Sequence, residues 1–355
     1  MRILFTIGDA YLPQRSGGAQ SSTWQLVEEL RAQGHAVAVM CRLSGGGWTE
    51  MSSRIKRRIG RTRFSRDALP GHTVFRAWDP TDTTEVVLKF RPDVAVVQNG
   101  STIPIARSLE AHGVPVVVYF RNVEFEELEG SPADLKRALF VANSQFTAKR
   151  HEEAFGITCT VIPPLVNADL YRTKSSRANV TFINPYPVKG LDIALAVAER
   201  CPDIPFTFVE SWGINTELRT LLDQRLARLP NVTLQPRTSD MKTVYGKTRI
   251  LLAPSLWEEA WGRVATEAHY SGIPVIGSQR GGLPEAIGPG GLILDIDAPV
   301  SDWAAAVRRL WEDPDEYARL SASALEFSQR PEIQAGYQVN QLLKVLHEAR
   351  SGARR

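Results

Sequence analysis

Short, continuously apolar runs separated by stretches of helical periodicity recur along this chain in two successive series, and no other feature limits its fold so strongly. The first series comprises Arg2 to Ile7, Ala36 to Cys41, Asp93 to Val97, Val114 to Phe120, Phe140 to Ala142 and Cys159 to Ile162. The second comprises Val180 to Ile183, Phe206 to Val209, Val232 to Leu234, Ile250 to Ala253, Val275 to Ile276 and Leu292 to Leu294. Strands that are apolar throughout, rather than alternating, are covered on both faces, so each series predicts a parallel α/β sheet between helices. The first helix carries Trp24, Val27 and Leu30 at helical spacing before Gly34 ends it. Pro163-Pro164 and the polar run Arg172 to Arg177 are the expected linker. From Pro299 the pattern is helical, and Pro331 breaks it before a final amphipathic segment. The expected domains are residues 1–168 and 169–330, with 331–355 returning to the first.

A chain of 355 residues with 43% apolar and 23% charged residues is long enough for two separate cores. Its formal charge of +3 gives no ground for a nucleic-acid partner. Cys41, Cys159 and Cys201 share no close spacing, which fits a reducing cytoplasm rather than a disulfide framework or zinc knuckle. The opening MRILFTI reads as a first strand, not a signal peptide. The longest apolar run, Val114 to Phe120, is far below the roughly 20 residues of a membrane helix, so the expected membrane contact is peripheral.

The stretch Glu258 to Gly277, EEAWGRVATEAHYSGIPVIG, brackets Trp261-Gly262 between Glu259 and Glu267 where a buried strand gives way to a helix reaching about Ser271. Unpaired N–H groups at a helix start near Gly262 favour an anion, and glycine there lets a ligand approach the backbone. Carboxylates accept hydrogen bonds from sugar hydroxyls, and a diphosphate held between two such groups describes a nucleotide sugar. In NPYPVKGLD, Asn184 ends the second series' first strand and Lys189-Gly190 head a helix. That places Lys189 as a point charge able to neutralise a diphosphate leaving group. Gly17-Gly18 in RSGGAQ precede the first helix, but the lone Gly8 excludes the G-x-G-x-x-G dinucleotide fingerprint.

Between Ser44 and Asp67 stand Arg54, Lys56, Arg57, Arg58, Arg61, Arg63 and Arg66 with almost no acid. The segment reads either as a solvated face or as a surface for an anionic acceptor or anionic lipid. A Glu-rich loop, Arg121 to Gly130, follows the Val114 to Phe120 strand. Asp295-Ile296-Asp297 matches a metal-binding D-x-D, yet its place after a strand and before a helix explains both acids. None of the six histidines lies in H-x-H or H-E-x-x-H. Ser144 lacks a nucleophile elbow and reads as a helix cap; of the eight tryptophans, all but Trp261 read as packing.

Together these segments resemble the family 4 glycosyltransferases of the GT-B fold over nearly the whole chain. The likeness rests on Gly17-Gly18, ANSQFTAK at Ala142 to Lys149, VIPPLVNADLY at Val161 to Tyr171, Lys189-Gly190, PSLWEEAWGRVATEA at Pro254 to Ala268 and GGLPE at Gly281 to Glu285. The specific part is the Glu259 to Glu267 spacing with an aromatic-glycine pair inside. The resemblance implies two doubly wound, Rossmann-like domains facing each other across a cleft. It gives Glu259 the donor hexose, Glu267 the ribose, and the backbone of Trp261, Gly262, Arg263 and Val264 the diphosphate and sugar. Lys189 falls on the family's lysine and Gly18 on its second loop glycine, with Arg237 and Thr238 further donor-side candidates.

Two positions depart from that family. Asn184 stands where an arginine usually meets the diphosphate, and Arg121 where a histidine often faces the donor sugar; Arg121 or Arg263 is the expected replacement charge. The implied reaction is retaining transfer of a hexosyl group from a nucleoside diphosphate sugar to an acceptor hydroxyl, without metal or other cofactor, in cell-surface polysaccharide or glycolipid synthesis. The implied acceptor is a glycan, a lipid-linked compound or a small molecule, and the implied location cytoplasmic, peripheral on the inner membrane face. Two alternatives share the fold: a catalytically weak nucleotide-sugar-binding subunit, motivated by Asn184, and a nucleotide-sugar epimerase.

Overall fold

The structure, a computed structural model, describes residues 1–60 and 62–352. Two units divide the chain, Met1–Leu165 with the segment from Gln334, and Val166–Ile333. In chain order the first unit holds β1 (Arg2–Ile7), α1 (Gly18–Ala32), β2 (Ala36–Arg42), α2 (Gly47–Gly60), β3 (Phe64–Asp67), β4 (Thr73–Ala77) and α3 (Thr84–Phe90). It continues through β5 (Val94–Val97), α4 (Thr102–Ala111), β6 (Val116–Phe120), β7 (Leu139–Ala142), α5 (Gln145–Phe155) and β8 (Cys159–Val161). The second unit runs β9 (Asn179–Ile183), α6 (Leu191–Arg200), β10 (Phe206–Val209), α7 (Thr216–Leu226), β11 (Val232–Gln235), α8 (Met241–Tyr245) and β12 (Thr248–Ala253). It then adds α9 (Arg263–His269), β13 (Val275–Ser278), α10 (Leu283–Ile287), β14 (Gly291–Leu294), α11 (Val300–Glu312) and α12 (Pro314–Phe327), and α13 (Ala335–Gly352) closes the chain.

The first sheet has the order β3-β4-β2-β1-β5-β6-β7-β8, the second β11-β10-β9-β12-β13-β14. Alternate residues of one strand feed opposite cores: Ile3, Phe5 and Ile7 lie on one side of the first sheet and Leu4 on the other. Helices cover both faces, which is why these strands read as unbroken apolar runs. Val339, Leu342, Val345 and Leu346 of α13 pack in the core with Ile3 and Phe5. The division falls at Leu165/Val166 and Ile333/Gln334 because Leu165 is buried in the first unit's core, whereas Val166 and Ile333 are buried together in the second. The run Arg172 to Arg177, expected as linker, belongs to the second unit: the Ser176 N–H donates to the Gly246 carbonyl at 2.8 Å.

The apolar runs predict a parallel sheet, and the first sheet departs from that at one edge. β3 pairs antiparallel with β4, and neither strand is legible because polar residues interrupt both. Arg76 is the extreme case, a fully buried arginine inside a strand. Its Nε meets Asp67 Oδ2 at 2.6 Å and its Nη2 donates to the Leu12 carbonyl at 2.7 Å, so its charge and donors are satisfied where the pattern suggested a polar surface. Ser144 caps α5 as expected, accepting from the Thr147 N–H at 2.9 Å.

Three histidines are buried in these cores. Burial pushes His151 down to about 4 and His269 down to about 3, and it lowers His72 against the opposing pull of Glu28. An unfolded chain would bind protons at these sites near pH 6.5 while the native one does not, so stability falls as pH drops below about 6.5. Each fully resisting histidine contributes up to about 1.4 kcal/mol per pH unit. Melting temperature followed from pH 7.5 to pH 5 should decline, and His269→Leu should make the decline shallower; an unchanged slope would assign the acid sensitivity elsewhere.

Candidate active site

The second sheet changes its winding direction between β9 and β12, which are adjacent but whose following connections leave to opposite sides. The loops at their carboxyl ends start from this switch point, the place where ligands of open α/β sheets bind. After β9, Asn184 adopts a left-handed backbone, φ 68°, which asparagine tolerates better than most residues. Its N–H donates to the Val209 carbonyl at 2.7 Å, and its side-chain oxygen accepts from the Trp212 N–H at 3.2 Å. The carboxamide oxygen thus braces the loop after β10. That local task explains an asparagine where the resemblance would have an arginine.

One short 3-10 turn, Pro187–Lys189, then presents Lys189. The loop after β12 is tied to this turn because the N–H groups of Leu256 and Trp257 both donate to the Val188 carbonyl, at 3.0 and 2.9 Å. As a result Lys189 Nζ lies 2.5 Å from Glu259 Oε1, and Ser255 Oγ donates to the same oxygen at 3.0 Å. The two charged side chains are 15% and 21% exposed, so they are mostly withdrawn from water yet open to a ligand. The Trp212 ring lies 5.0 Å from Lys189 Nζ, and Tyr186 meets Trp212 edge-on at 5.3 Å. Sequence reasoning missed Ser255, Tyr186 and Trp212. The signal was their position, each just past the carboxyl end of a strand in the same sheet.

GGLPE acts from behind Glu259. The Gly282 N–H donates to the Glu259 carbonyl at 2.5 Å, and a Cβ on Gly281, φ 61°, would collide with that carbonyl oxygen. Gly281 therefore permits an approach no other residue allows.

Glu267 occupies a different environment. It is 7% exposed on α9; Tyr245 donates to its Oε2 at 2.8 Å and Arg263 lies 3.4 Å from its Oε1. Arg263 also donates to the Tyr171 hydroxyl at 3.1 Å. Burial pushes the Glu267 carboxyl up while Arg263 and the Tyr245 hydrogen bond pull it back. Burial likewise raises Tyr245 well above the ordinary tyrosine range, reinforced by Glu267, so its hydroxyl stays a donor.

Arg263, expected as a replacement charge, is turned inward onto Glu267 and Tyr171. The Trp261 side chain is also a core residue, 5% exposed with its indole N–H on Thr266 Oγ1 at 3.0 Å, and Val264 packs beside it in the same cluster. Gly262 has φ 92°, and a Cβ there would lie 2.5 Å from Leu283, so backbone conformation and core packing demand this glycine independently of any ligand. α9 ends at His269, before the expected Ser271, and a turn follows.

Arg237 and Thr238 follow edge strand β11, two strands from β9; Arg237 is exposed and Thr238 Oγ1 accepts from the Asp240 N–H at 3.1 Å. In the first unit Gly18 opens α1 after Gly17, which provides no side-chain cap. Arg121 is 6% exposed, stacked 3.9 Å over the Tyr119 ring and bonded to Gln98 Oε1 at 3.0 Å and Ser22 Oγ at 2.9 Å. These contacts make it a brace inside the first unit. Asp295 Oδ1 accepts from the Asp297 N–H at 2.9 Å in a turn ahead of α11, and no group of three or more possible metal ligands occurs among the described residues. Arg54, Lys56, Arg57 and Arg58 lie on α2, and Arg63 pairs with Asp82, while Arg61 falls outside the described residues.

Two expectations follow for this construction. On the ribose role that the resemblance gives Glu267, Tyr245→Phe should raise the dissociation constant of a nucleoside diphosphate and reduce the preference for ribose over 2′-deoxyribose, because Glu267 loses the donor that fixes its rotamer; loss of overall binding with the preference intact would make Tyr245 a packing residue. Gly281→Ala should displace the Glu259 backbone and lower turnover at least tenfold, measured beside its circular dichroism spectrum to separate the effect from unfolding.

Two family models match the chain, Glycosyltransferase Family 4 over residues 16–170 and Glycosyl transferases group 1 over residues 184–327. Among curated relatives, a D-inositol 3-phosphate glycosyltransferase of Rhodococcus erythropolis is 30% identical over 214 residues, 52% of this chain and 48% of that protein. One of the same name from Corynebacterium kroppenstedtii is 37% identical over 100 residues, 27% of this chain and 22% of its own length. The chain thus spans less than half the length of these relatives. Anabaena Alr3699/HepE, solved in complex with UDP-glucose, matches with a TM-score of 0.77 at 18% identity over 98% of this chain and 100% of its own, a likeness of fold. With its two α/β units and both matching models, the chain belongs to the family 4, group 1 glycosyltransferases of the GT-B fold.

Proposed function

We propose that this protein transfers a hexosyl group from a nucleoside diphosphate sugar to an acceptor hydroxyl with retention of anomeric configuration. The observation that carries the reading is the pairing of Lys189 with Glu259 at the carboxyl ends of the neighbouring strands β9 and β12, with the buried Glu267 on the next helix. An anion beside Lys189 draws the ammonium away from Glu259, whose carboxylate then accepts from hydroxyls of the sugar. Tyr245 and Arg263 take part of the hydrogen-bonding capacity of Glu267, and its remaining lone pairs suit the ribose hydroxyls. Asn184 lends the diphosphate at most an uncharged contact, so Lys189 carries more of its charge.

In the reaction the bond between the anomeric carbon and the diphosphate oxygen breaks, and the acceptor oxygen bonds that carbon on the same face. The acceptor proton passes to the departing phosphate oxygen. The protein contributes position and positive charge rather than a nucleophile or metal. The Anabaena neighbour supports UDP-glucose as the first donor to test, and the relatives' name supports a polyol or other small hydroxyl acceptor beside glycan and lipid-linked ones. A cytoplasmic setting with peripheral membrane contact is part of this reading.

Thermal stabilisation by a panel of nucleotide sugars tests the donor, since a ligand that binds only the native state raises its melting temperature. NMR of the product's anomeric signal then tests retention; an inverted product would overturn it. Glu259→Gln should lower turnover with affinity for the bare nucleotide diphosphate nearly intact, whereas Glu267→Ala should weaken that affinity; equal effects on binding would refute the division of labour. Lys189→Ala should cost on the order of 3 kcal/mol, about a hundredfold in rate at subsaturating donor, and full activity would remove it from the mechanism.

A further inference from the structure

We propose that α2 is a docking element that lays the first unit on an anionic lipid surface. The helix is built the wrong way round for a surface helix. Trp48, Met51, Ile55 and Ile59 are 75%, 49%, 53% and 80% exposed. At 3.6 residues per turn they fall within about 80° of one another, a single apolar stripe. The opposite side faces the protein and is polar: Glu50 and Ser53 are buried, 8% and 3% exposed. An ordinary amphipathic helix buries its apolar stripe and shows water its polar side. Here no described residue covers the stripe.

The inward contacts fix this orientation. Glu50 Oε1 accepts from Arg54 Nε at 2.6 Å, and its other oxygen accepts from the Gly46 N–H. Arg54 and Arg57 lie over the Trp78 ring at 5.0 and 5.7 Å. The one acid of the helix is therefore turned in and neutralised, and the exposed Lys56 and Arg58 flank the stripe on either side.

An apolar stripe edged by exposed cations, with an indole at one end, matches the boundary of an anionic bilayer. Apolar side chains enter the acyl region while flanking ammonium and guanidinium groups meet headgroup phosphates. Charge complementarity selects lipid over a second copy of this chain, because a twofold contact through this face would bring the same unneutralised cations together. The inference does not rest on the donor reading, and its test needs no substrate.

The experiment is co-sedimentation of the full chain with vesicles of phosphatidylcholine alone or with one-third phosphatidylglycerol, at about 0.1 M and about 1 M salt, where the screening length is roughly 10 and 3 Å. Binding should be strong only to the anionic vesicles and should weaken at high salt. Lys56→Gln/Arg58→Gln should weaken it roughly 25-fold, about fivefold per cation. Ile55→Ser/Ile59→Ser, which changes only exposed side chains, should weaken it on the order of 100-fold. Trp48→Phe should remove a vesicle-induced blue shift of the fluorescence. Wild-type protein left in the supernatant, binding indifferent to lipid charge and salt, or a stripe variant that binds like wild type would each overturn the proposal. A dimer in sedimentation velocity that Ile55→Ser/Ile59→Ser disperses, without vesicle binding, would give the face to a second copy instead and would equally overturn it.

Discussion

The rest of the candidate site depends on one ion pair, Lys189 Nζ to Glu259 Oε1 at 2.5 Å. Neither loop could hold its charge in that place alone. Removing two charges from water is costly, and their mutual attraction and the Ser255 hydroxyl offset that cost only if the geometry is fixed. The geometry is fixed by backbone: the Val188 carbonyl accepts from both Leu256 and Trp257, and the Gly282 N–H reaches the Glu259 carbonyl. The Lys189 ammonium and the Glu259 carboxylate are thereby held in contact, 15% and 21% exposed, at the carboxyl ends of β9 and β12.

Glu267 and Arg121 show how burial redirects groups that look alike in a sequence. Glu267 is shielded, and Tyr245 and Arg263 set its orientation. Arg121 spends its guanidinium on Gln98, Ser22 and the face of Tyr119. A buried charge must be matched by local donors or acceptors, so its direction is decided by whichever neighbours the fold supplies. Arg76 with Asp67 obeys the same rule in the first sheet, where it turns an apparently polar segment into a strand. Arg263 likewise turns inward, onto Glu267 and the Tyr171 hydroxyl.

α2 adds a contrast between periodicity and orientation. Trp48, Met51, Ile55 and Ile59 recur at helical spacing among the arginines of the same segment. Spacing shows that apolar side chains share a face. It does not show whether that face looks toward a core or toward solvent, and here buried Glu50 and Ser53 reverse the usual answer.

The amino-acid sequence by itself determined two α/β units, parallel except for one edge strand, the strand-to-helix element around Glu259 and Glu267, and the lysine opposite it. Those signals are local: apolar runs, a 3.6-residue period, and motifs whose members lie within a few turns of each other. Tertiary structure alone decided the strands carrying Phe64 and Arg76, the division at Leu165 and Ile333, the bracing task of Asn184, the inward turn of Arg263 and the outward stripe of α2. Each of these depends on what lies across a sheet or loop from the residue. Burial and partner choice are set by contacts distant in sequence, and a one-dimensional pattern carries no measure of them.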